Sequence, residues 1–461
     1  HLIYFRSPVS NRLRGIMRTY ESVGVAVPEI LLPKQELSKT KWAVVACDQY
    51  TSEPEYWQKV EQVVADAPST LRLIYPEVFL SESAADAEKR ISQIRANMQA
   101  YLEAGNLVGH DGMIYVERLA GGRIRKGLVL CVDLERYDFN KGSTSLIRAT
   151  EGTILDRLPP RIKIRDGASL ELPHIMVLID DPDNTVFGPL TEGKGKLEKV
   201  YDFDLMLGAG HLTGYFVGDR GLEESIMRSL EALGSPEAFS KRYGLPADQP
   251  VLLYAMGDGN HSLATAKAIW EKTKEQATDK ASVMNDPRRH ALVEIVNLHD
   301  SALEFEPIHR VLFELGEGKD VLGQVLTGLV GTLREVESLQ AMKEEVMAST
   351  SSEQRIGVLR GSGYGVIHVG KPTSNLPVGS LQPILDAFVK AGGAREIDYV
   401  HGTEAVEQLG RKPKNIGFFL PSMNKHDLFR TVIVDGALPR KTFSMGEAEE
   451  KRFYMECRKL G

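Results

Sequence analysis

Cysteine is scarce in this chain of 461 residues: Cys47, Cys131 and Cys457 stand far apart. Three such residues cannot build a disulfide framework or a zinc cluster, and they predict a reduced, cytoplasmic setting. Runs of basic residues are missing as well, since no Lys/Arg run exceeds two residues. With a net charge of −7 and a pI near 6.0, the chain has no general attraction to nucleic acid or an anionic membrane. No apolar stretch approaches the roughly 18 residues that suggest a membrane span. Repeats at solenoid periods and low-complexity tracts are absent too.

What is present is the balance of a globular protein, 42% hydrophobic and 26% charged. The length predicts two domains or one large composite domain. Residues 1–16 are basic and carry no apolar core of a signal peptide. They are expected to be a vector-derived or disordered leader, with Met17 as the native start.

From there strands and helices alternate, which predicts an α/β or mixed α+β class. Short apolar runs at 42–47 (WAVVAC), 174–180 (HIMVLID), 251–256 (VLLYAM) and 416–420 are expected to be buried strands. Residues 113–119 and 128–134 are expected to pair through Gly121-Gly122, and 356–359, 365–369 and 431–434 are further expected strands. Helical spacing marks 53–64, 84–103, 222–233, 263–278 and 381–390. The Ser/Glu-rich stretch 348–353 and GSGYG at 361–365 are the best boundary candidates. They divide a main catalytic region, 17–347, from a C-terminal α/β region, 348–461, that contributes to the site. GSGYG would serve equally as a hairpin turn in one composite domain.

The segment with the clearest chemistry is GDGNHS at 257–262, between an apolar strand and a helix. A strand–glycine loop–helix unit aims backbone N–H groups at one point, and the helix dipole favours an anion there. Gly257 and Gly259 permit close backbone approach, Asn260, His261 and Ser262 supply donors, and Lys267 follows on the helix. Asp258 can bind a metal or accept a proton. The loop matches neither the P-loop nor the dinucleotide pattern, so its neighbours must carry part of the argument.

Those neighbours are polar knots that follow apolar runs. DQYTSEPEYW at 48–57 brings Asp48, Gln49, Thr51 and Glu53 to a strand's carboxyl end, where α/β proteins place ligands. RATEGTILDR at 148–157 clusters Arg148, Thr150, Glu151, Asp156 and Arg157; Arg161, Lys163 and Arg165 follow, then His174. PIHR contributes His309 and Arg310, and LPRKTFSM contributes Arg440, Lys441, Thr442 and Ser444, with Pro439 holding the segment extended. Carboxylates mixed with cations suit phosphoryl transfer. Cations neutralise the moving oxygens, one carboxylate binds Mg²⁺ and another takes the proton of the attacking hydroxyl.

The segments WAVVACDQYTSEPEYW, RATEGTILDR, ELPHIMVLIDD, YAMGDGNHSLATAK and LPRKTFSMGEAEEKR, in this order, resemble the family called domain of unknown function 1015, over nearly all of the chain from Met17 onward. GDGNHS followed by LATAKA is similar to the phosphate-binding turn of the ParB/sulfiredoxin-like superfamily, which includes kinases of free serine. The resemblance implies a ParB/sulfiredoxin-like core with additional α/β elements. It also implies phosphoryl transfer from pyrophosphate, or a nucleotide, to the hydroxyl of free L-serine. The superfamily turn commonly ends His-Arg, whereas this chain has His261-Ser262, so Arg157, Arg310, Arg440 or Lys441 would replace that cation.

On this reading Asp258 or Asp48 holds Mg²⁺, and Glu151 or Glu53 is the base. The phosphates lie on the 257–262 backbone, His261, Thr442 and the set Arg148, Arg157, Lys267, Arg310, Arg440 and Lys441. Gln49, Thr51, His174 and His309 are expected at the acceptor. Small molecules are the expected partners, with a homodimer left open. The alternatives are a Mg²⁺-dependent phosphatase in the same pocket and a non-enzymatic ParB-like nucleotide-binding module.

Overall fold

The computed structural model describes residues 17–153 and 155–461; the leader expected at 1–16 lies outside them. The fold is mixed α/β, built on two large sheets. The first has eleven strands. Its long strands Met113–Ala120 and Arg123–Asp133 form the expected hairpin through Gly121-Gly122, both with positive φ. His290–Asn297 joins that hairpin, and Met176–Ile179 lies parallel to it, followed by Tyr254–Asp258 and Ile147–Arg148. Every residue of His290–Asn297 and Met176–Ile179 is buried, as continuous apolar strands require.

The second sheet has seven strands, and its pairings are antiparallel. It contains Phe305–Leu315 and Thr332–Val336 together with Arg355–Arg360 and Ile416–Phe419. The 347/348 division therefore falls inside this sheet. Gly361-Ser362 of GSGYG is the turn of the hairpin Arg355–Arg360/Gly363–His368.

The C-terminal tail returns through three short strand pairings, one to the second sheet and two that form small sheets of their own. Phe443–Met445 pairs with Phe305–Leu315 of the second sheet. Phe453–Tyr454 then pairs with Val44–Val45, and Arg458–Lys459 with Leu170–Glu171. Buried ion pairs fix this return: Arg458 Nε lies 2.5 Å from Glu171 Oε1, and Arg452 lies 2.5 Å from Glu456 and 3.2 Å from Glu294. Charges this deep are tolerated because each faces an opposite charge.

Helices Pro54–Val64, Ala84–Glu103, Arg220–Leu233 and Asn260–Gln276 stand close to their expected places. Two expected strands differ. Residues 42–47 are buried almost throughout, but only Val44–Val45 is strand, because among the described residues its pairing partner is the two-residue Phe453–Tyr454. Trp42 instead ends a short helix capped by Ser38 and donates its indole N–H to the Met455 carbonyl at 3.0 Å. Residues 431–434 belong to the helix Leu428–Asp435. Their β-branched side chains suggested a strand, yet Leu428, Phe429, Thr431 and Val432 are the buried positions, which is helical spacing.

Candidate functional site

Strand Tyr254–Asp258 runs straight into helix Asn260–Gln276, with Gly259 as the single residue between them. Gly259 has φ +81°, and a Cβ there would stand 3.1 Å from the Ile175 Cα and 3.0 Å from its Cγ1. Positive φ costs an L-residue roughly 1–2 kcal/mol before any clash. Gly259→Ala is therefore expected to lower unfolding stability by about 2 kcal/mol or more, read by denaturant titration. A Cβ on Gly257 would meet Met445 Cε at 2.8 Å, so the tail packs directly against this loop.

Met176 pairs with Asp258, which brings the residues just before strand Met176–Ile179 to the end of the loop. His174 is the consequence. Its Nε2 lies 2.8 Å from Ser262 Oγ and 3.9 Å from Asp48 Oδ2, and its Nδ1 lies 2.7 Å from the Tyr454 hydroxyl. Burial would push the Asp48 carboxyl up. His174, a 3.1 Å bond from the Gln49 amide, Lys451 and Lys441 outweigh burial and hold it below its ordinary range.

Asp258 accepts the Gly259 N–H at 2.9 Å and pairs with Lys451 at 3.2 Å. Lys451 is nearly buried and also donates to Ser444 at 3.1 Å. His261 is driven down to about 4 by burial and then by the positive charges of Arg161, Arg157 and Lys441. It is therefore neutral at neutral pH. Arg161 itself is ion-paired with Glu77.

Glu151 enters from the far side. Residues 150–152 bond to Leu438, whose N–H donates to the Thr150 carbonyl at 2.6 Å. That bridge carries the Glu151 carboxylate to the tail, where it accepts the Thr442 N–H at 3.2 Å. Burial raises its pKa above the ordinary value, and Lys441 and the backbone N–H groups offset only part of the rise. Lys441, exposed and at φ +56°, faces Glu151, His261 and Asp48.

Asp48, Gln49, Glu151, Arg157, His174, Lys441 and the loop 257–262 are thus brought together. Others are not. Arg148 is buried and spends its guanidinium on the carbonyls of Ser145 and Pro250, at 2.7 and 2.9 Å. Lys267 donates to the Leu134 carbonyl and pairs with Glu271. His309 is buried against Phe419 and accepts the Leu420 N–H. Arg440 turns to Asp386 and Tyr399. Arg310 holds the carbonyls of Arg440 and Lys441 at 3.0 and 2.8 Å, so it shapes the tail from behind. Thr442 points its hydroxyl back to the Pro439 carbonyl at 2.7 Å. Thr51 and Glu53 are exposed, and Glu53 makes no side-chain cap bond at the start of its helix. Sequence reasoning missed Lys451 and Tyr454: Lys451 stands in the segment LPRKTFSMGEAEEKR without being singled out, Tyr454 lies just beyond it, and the return of the tail brings both in.

No curated protein matches the chain. Among solved structures it is similar to a free serine kinase in complex with AMP, at 11% identity and a TM-score of 0.37, over 72% of this chain and 92% of that one. A conserved hypothetical protein from Pyrococcus furiosus matches at 11% identity and a TM-score of 0.37, over 74% and 98%. SbnI with a C-terminal truncation, from Staphylococcus aureus, matches at 9% and 0.34, over 69% and 82%. Among the described residues no helix is long and apolar enough to cross a membrane. The model of the family "Protein of unknown function (DUF1015)" matches residues 30–388, and the chain belongs to that family.

Proposed function

We propose that the chain is a small-molecule kinase that transfers a phosphoryl group from pyrophosphate, or a nucleoside phosphate, to the hydroxyl of free L-serine in the cytoplasm. The observation that carries this reading is the half-buried, upward-shifted Glu151 beside Lys441, whose charge also reaches the ionised Asp48 and the neutral His261. A carboxylate shifted toward neutrality is the better proton acceptor at working pH. The choice of serine rests on the likeness of the GDGNHS loop to the turn of free-serine kinases.

In this reaction the serine oxygen attacks phosphorus, the bridging P–O bond breaks, and the serine proton passes to Glu151. The charge spreading over the phosphoryl oxygens is met by Lys441, Arg157, the helix N-terminus at Asn260 and the Ser262 hydroxyl. Lys451 holds Asp258 in place. Among the described residues no three His, Cys, Asp or Glu side chains group to hold a metal. The residues do fit Mg²⁺ brought in on the donor, because Mg²⁺ is usually bound by one or two carboxylates plus substrate phosphates. Asp48 and Asp258 would hold it, and it would neutralise charge on the donor.

Tyr254 and Trp270, the aromatics flanking the loop, are fully buried in the core and cannot clamp a base. Tyr50 and Tyr56 stack on each other, ring centroids 3.6 Å apart. A compact, highly charged donor suits such a rim. Pyrophosphate with Mg²⁺ is expected to exceed ATP by about tenfold in kcat/KM at fixed serine, a difference of about 1.4 kcal/mol in the barrier. Phosphorus NMR of both mixtures tests it. A tenfold preference for ATP overturns the donor, and no serine-dependent consumption of any donor overturns the kinase.

A further inference from the structure

Lys441 has a strained backbone. Its φ of +56° lies in the left-handed region, which a residue with a Cβ adopts rarely and at a cost. Such a conformation persists only where its surroundings over-determine it. Here they do so from both sides. Ahead of Lys441, the Thr442 N–H donates to Glu151 at 3.2 Å. Behind it lies Arg310, fully buried on strand Phe305–Leu315. Its Nη2 donates to the Arg440 carbonyl at 3.0 Å and its Nη1 to the Lys441 carbonyl at 2.8 Å, so one fork fixes the two peptide groups that flank Lys441.

The fork is itself held. Strand pairing sets Arg310 opposite Tyr399, whose ring centroid lies 4.9 Å from the guanidinium carbon. Arg310 Nε donates to Gln382 at 2.8 Å, and Gln382 donates to Asp386, one turn further along helix Pro377–Lys390, at 2.9 Å. Asp386 and the Tyr399 hydroxyl then accept from Arg440, at 3.0 and 2.6 Å. Arg310 and Arg440 are thus committed to one another's surroundings. Lys441 is not. Among the described residues its ammonium makes no hydrogen bond or ion pair, while its charge reaches Glu151, Asp48 and His261.

We propose that Arg310 and Arg440 are positioning residues that lock Lys441 in its left-handed turn and so aim its free ammonium at a phosphoryl oxygen of the ligand. A lysine is a point charge on a flexible four-carbon stem, with no fixed direction of its own. Fixing both flanking peptides narrows the space that stem searches, and less freedom is then lost when the anion binds. The cation comes from the tail, but the second sheet and helix Pro377–Lys390 set where it points. The ligand class rests on the phosphoryl-transfer reading, whereas the turn and its clamp stand apart from any activity.

Two measurements test it. The first needs no ligand. Glycine is favoured over alanine at a left-handed position and disfavoured at an extended one, so Lys441→Gly should melt above Lys441→Ala. A glycine variant melting level with or below the alanine variant overturns the inference whether or not the chain is a kinase. Next, pyrophosphate and ATP, each with Mg²⁺, are titrated calorimetrically into the full chain and into Lys441→Met, Arg310→Lys and Arg440→Met. Arg310→Lys keeps the charge and gives up the fork, and Arg440 is half-buried, so if one variant fails to fold the other decides. Affinity should fall about thirtyfold in Lys441→Met and several-fold in each arginine variant. Combined with Lys441→Met, neither arginine change should weaken binding further. Additive losses, full binding by Lys441→Met, or no binding of either probe by the unaltered protein overturn the positioning role. Coupled losses without serine-dependent transfer overturn the kinase reading alone.

Discussion

Glu151→Gln is expected to lower serine phosphorylation by about a thousandfold while leaving the protein at least as stable at pH 7. The loss follows from the role, since an amide cannot take the hydroxyl proton and general-base catalysis contributes 10²–10⁴-fold. The stability follows from the opposite side of the same fact. Burial raises the folded pKa of Glu151 above its ordinary value. Between those two values the folded state binds more protons than the unfolded state, so this group's contribution falls as pH rises through the window. At pH 7 the ionised carboxylate costs stability, and a neutral isostere removes that cost. Steady-state transfer rates and thermal melts of the pure variant check both halves. An active Glu151→Gln enzyme would move the base to Asp48 or Asp258, the other carboxylates of the cluster; Glu53 is exposed at a helix start. A melting point far below that of the unaltered protein would show that Glu151 braces the tail through the Thr442 N–H.

The contrast between Glu151 and Glu53 shows what the sequence could convey. Both are acidic residues in polar knots following apolar runs, and nothing local separates them. The separation comes from Leu438, nearly three hundred residues later, whose bridge to Glu151 holds it against the tail. The loop 257–262 was legible because a strand, two glycines and a helix are adjacent in sequence, so their geometry is local. His174 was legible for a similar reason, just ahead of a buried strand. Arg148, Lys267, His309, Arg310 and Arg440 show the limit. A cation near a motif looks the same whether it faces a ligand or satisfies backbone carbonyls, and here Arg148 and Arg310 are buried doing the latter. Lys451 and Tyr454 failed the other way. Lys451 ends a run of acidic residues and Tyr454 stands in an apolar pair, and the antiparallel return of the tail onto Val44–Val45 carries them into the site.

His261→Ala and Asp258→Asn are each expected to lower kcat/KM by about a hundredfold with the fold retained, the scale of one lost transition-state contact. The two losses have different causes. Asp258→Asn keeps an oxygen for the Gly259 N–H but removes the counter-charge of Lys451, which is then free to turn toward Asp48. His261→Ala removes a neutral imidazole from among Arg161, Arg157 and Lys441. That neutrality has its own signature in stability against pH. His261 has a folded pKa of about 4, against 6.5 for the ordinary side chain. Between these values the unfolded state binds the proton and the folded state does not, so stability is full above pH 6.5 and falls as pH drops toward 4. Removing the imidazole removes that part of the slope. His290 and His309 are also held low by burial and remain in the variant, so the readout is the difference between the two denaturation profiles. The gap between unaltered protein and His261→Ala should narrow, or change sign in favour of the variant, as pH falls from 6.5 to 4. A constant gap across that range would mean that His261 titrates normally in the folded protein and that the surrounding cations do not converge on it. Near-normal turnover in both variants would remove the loop from the site altogether.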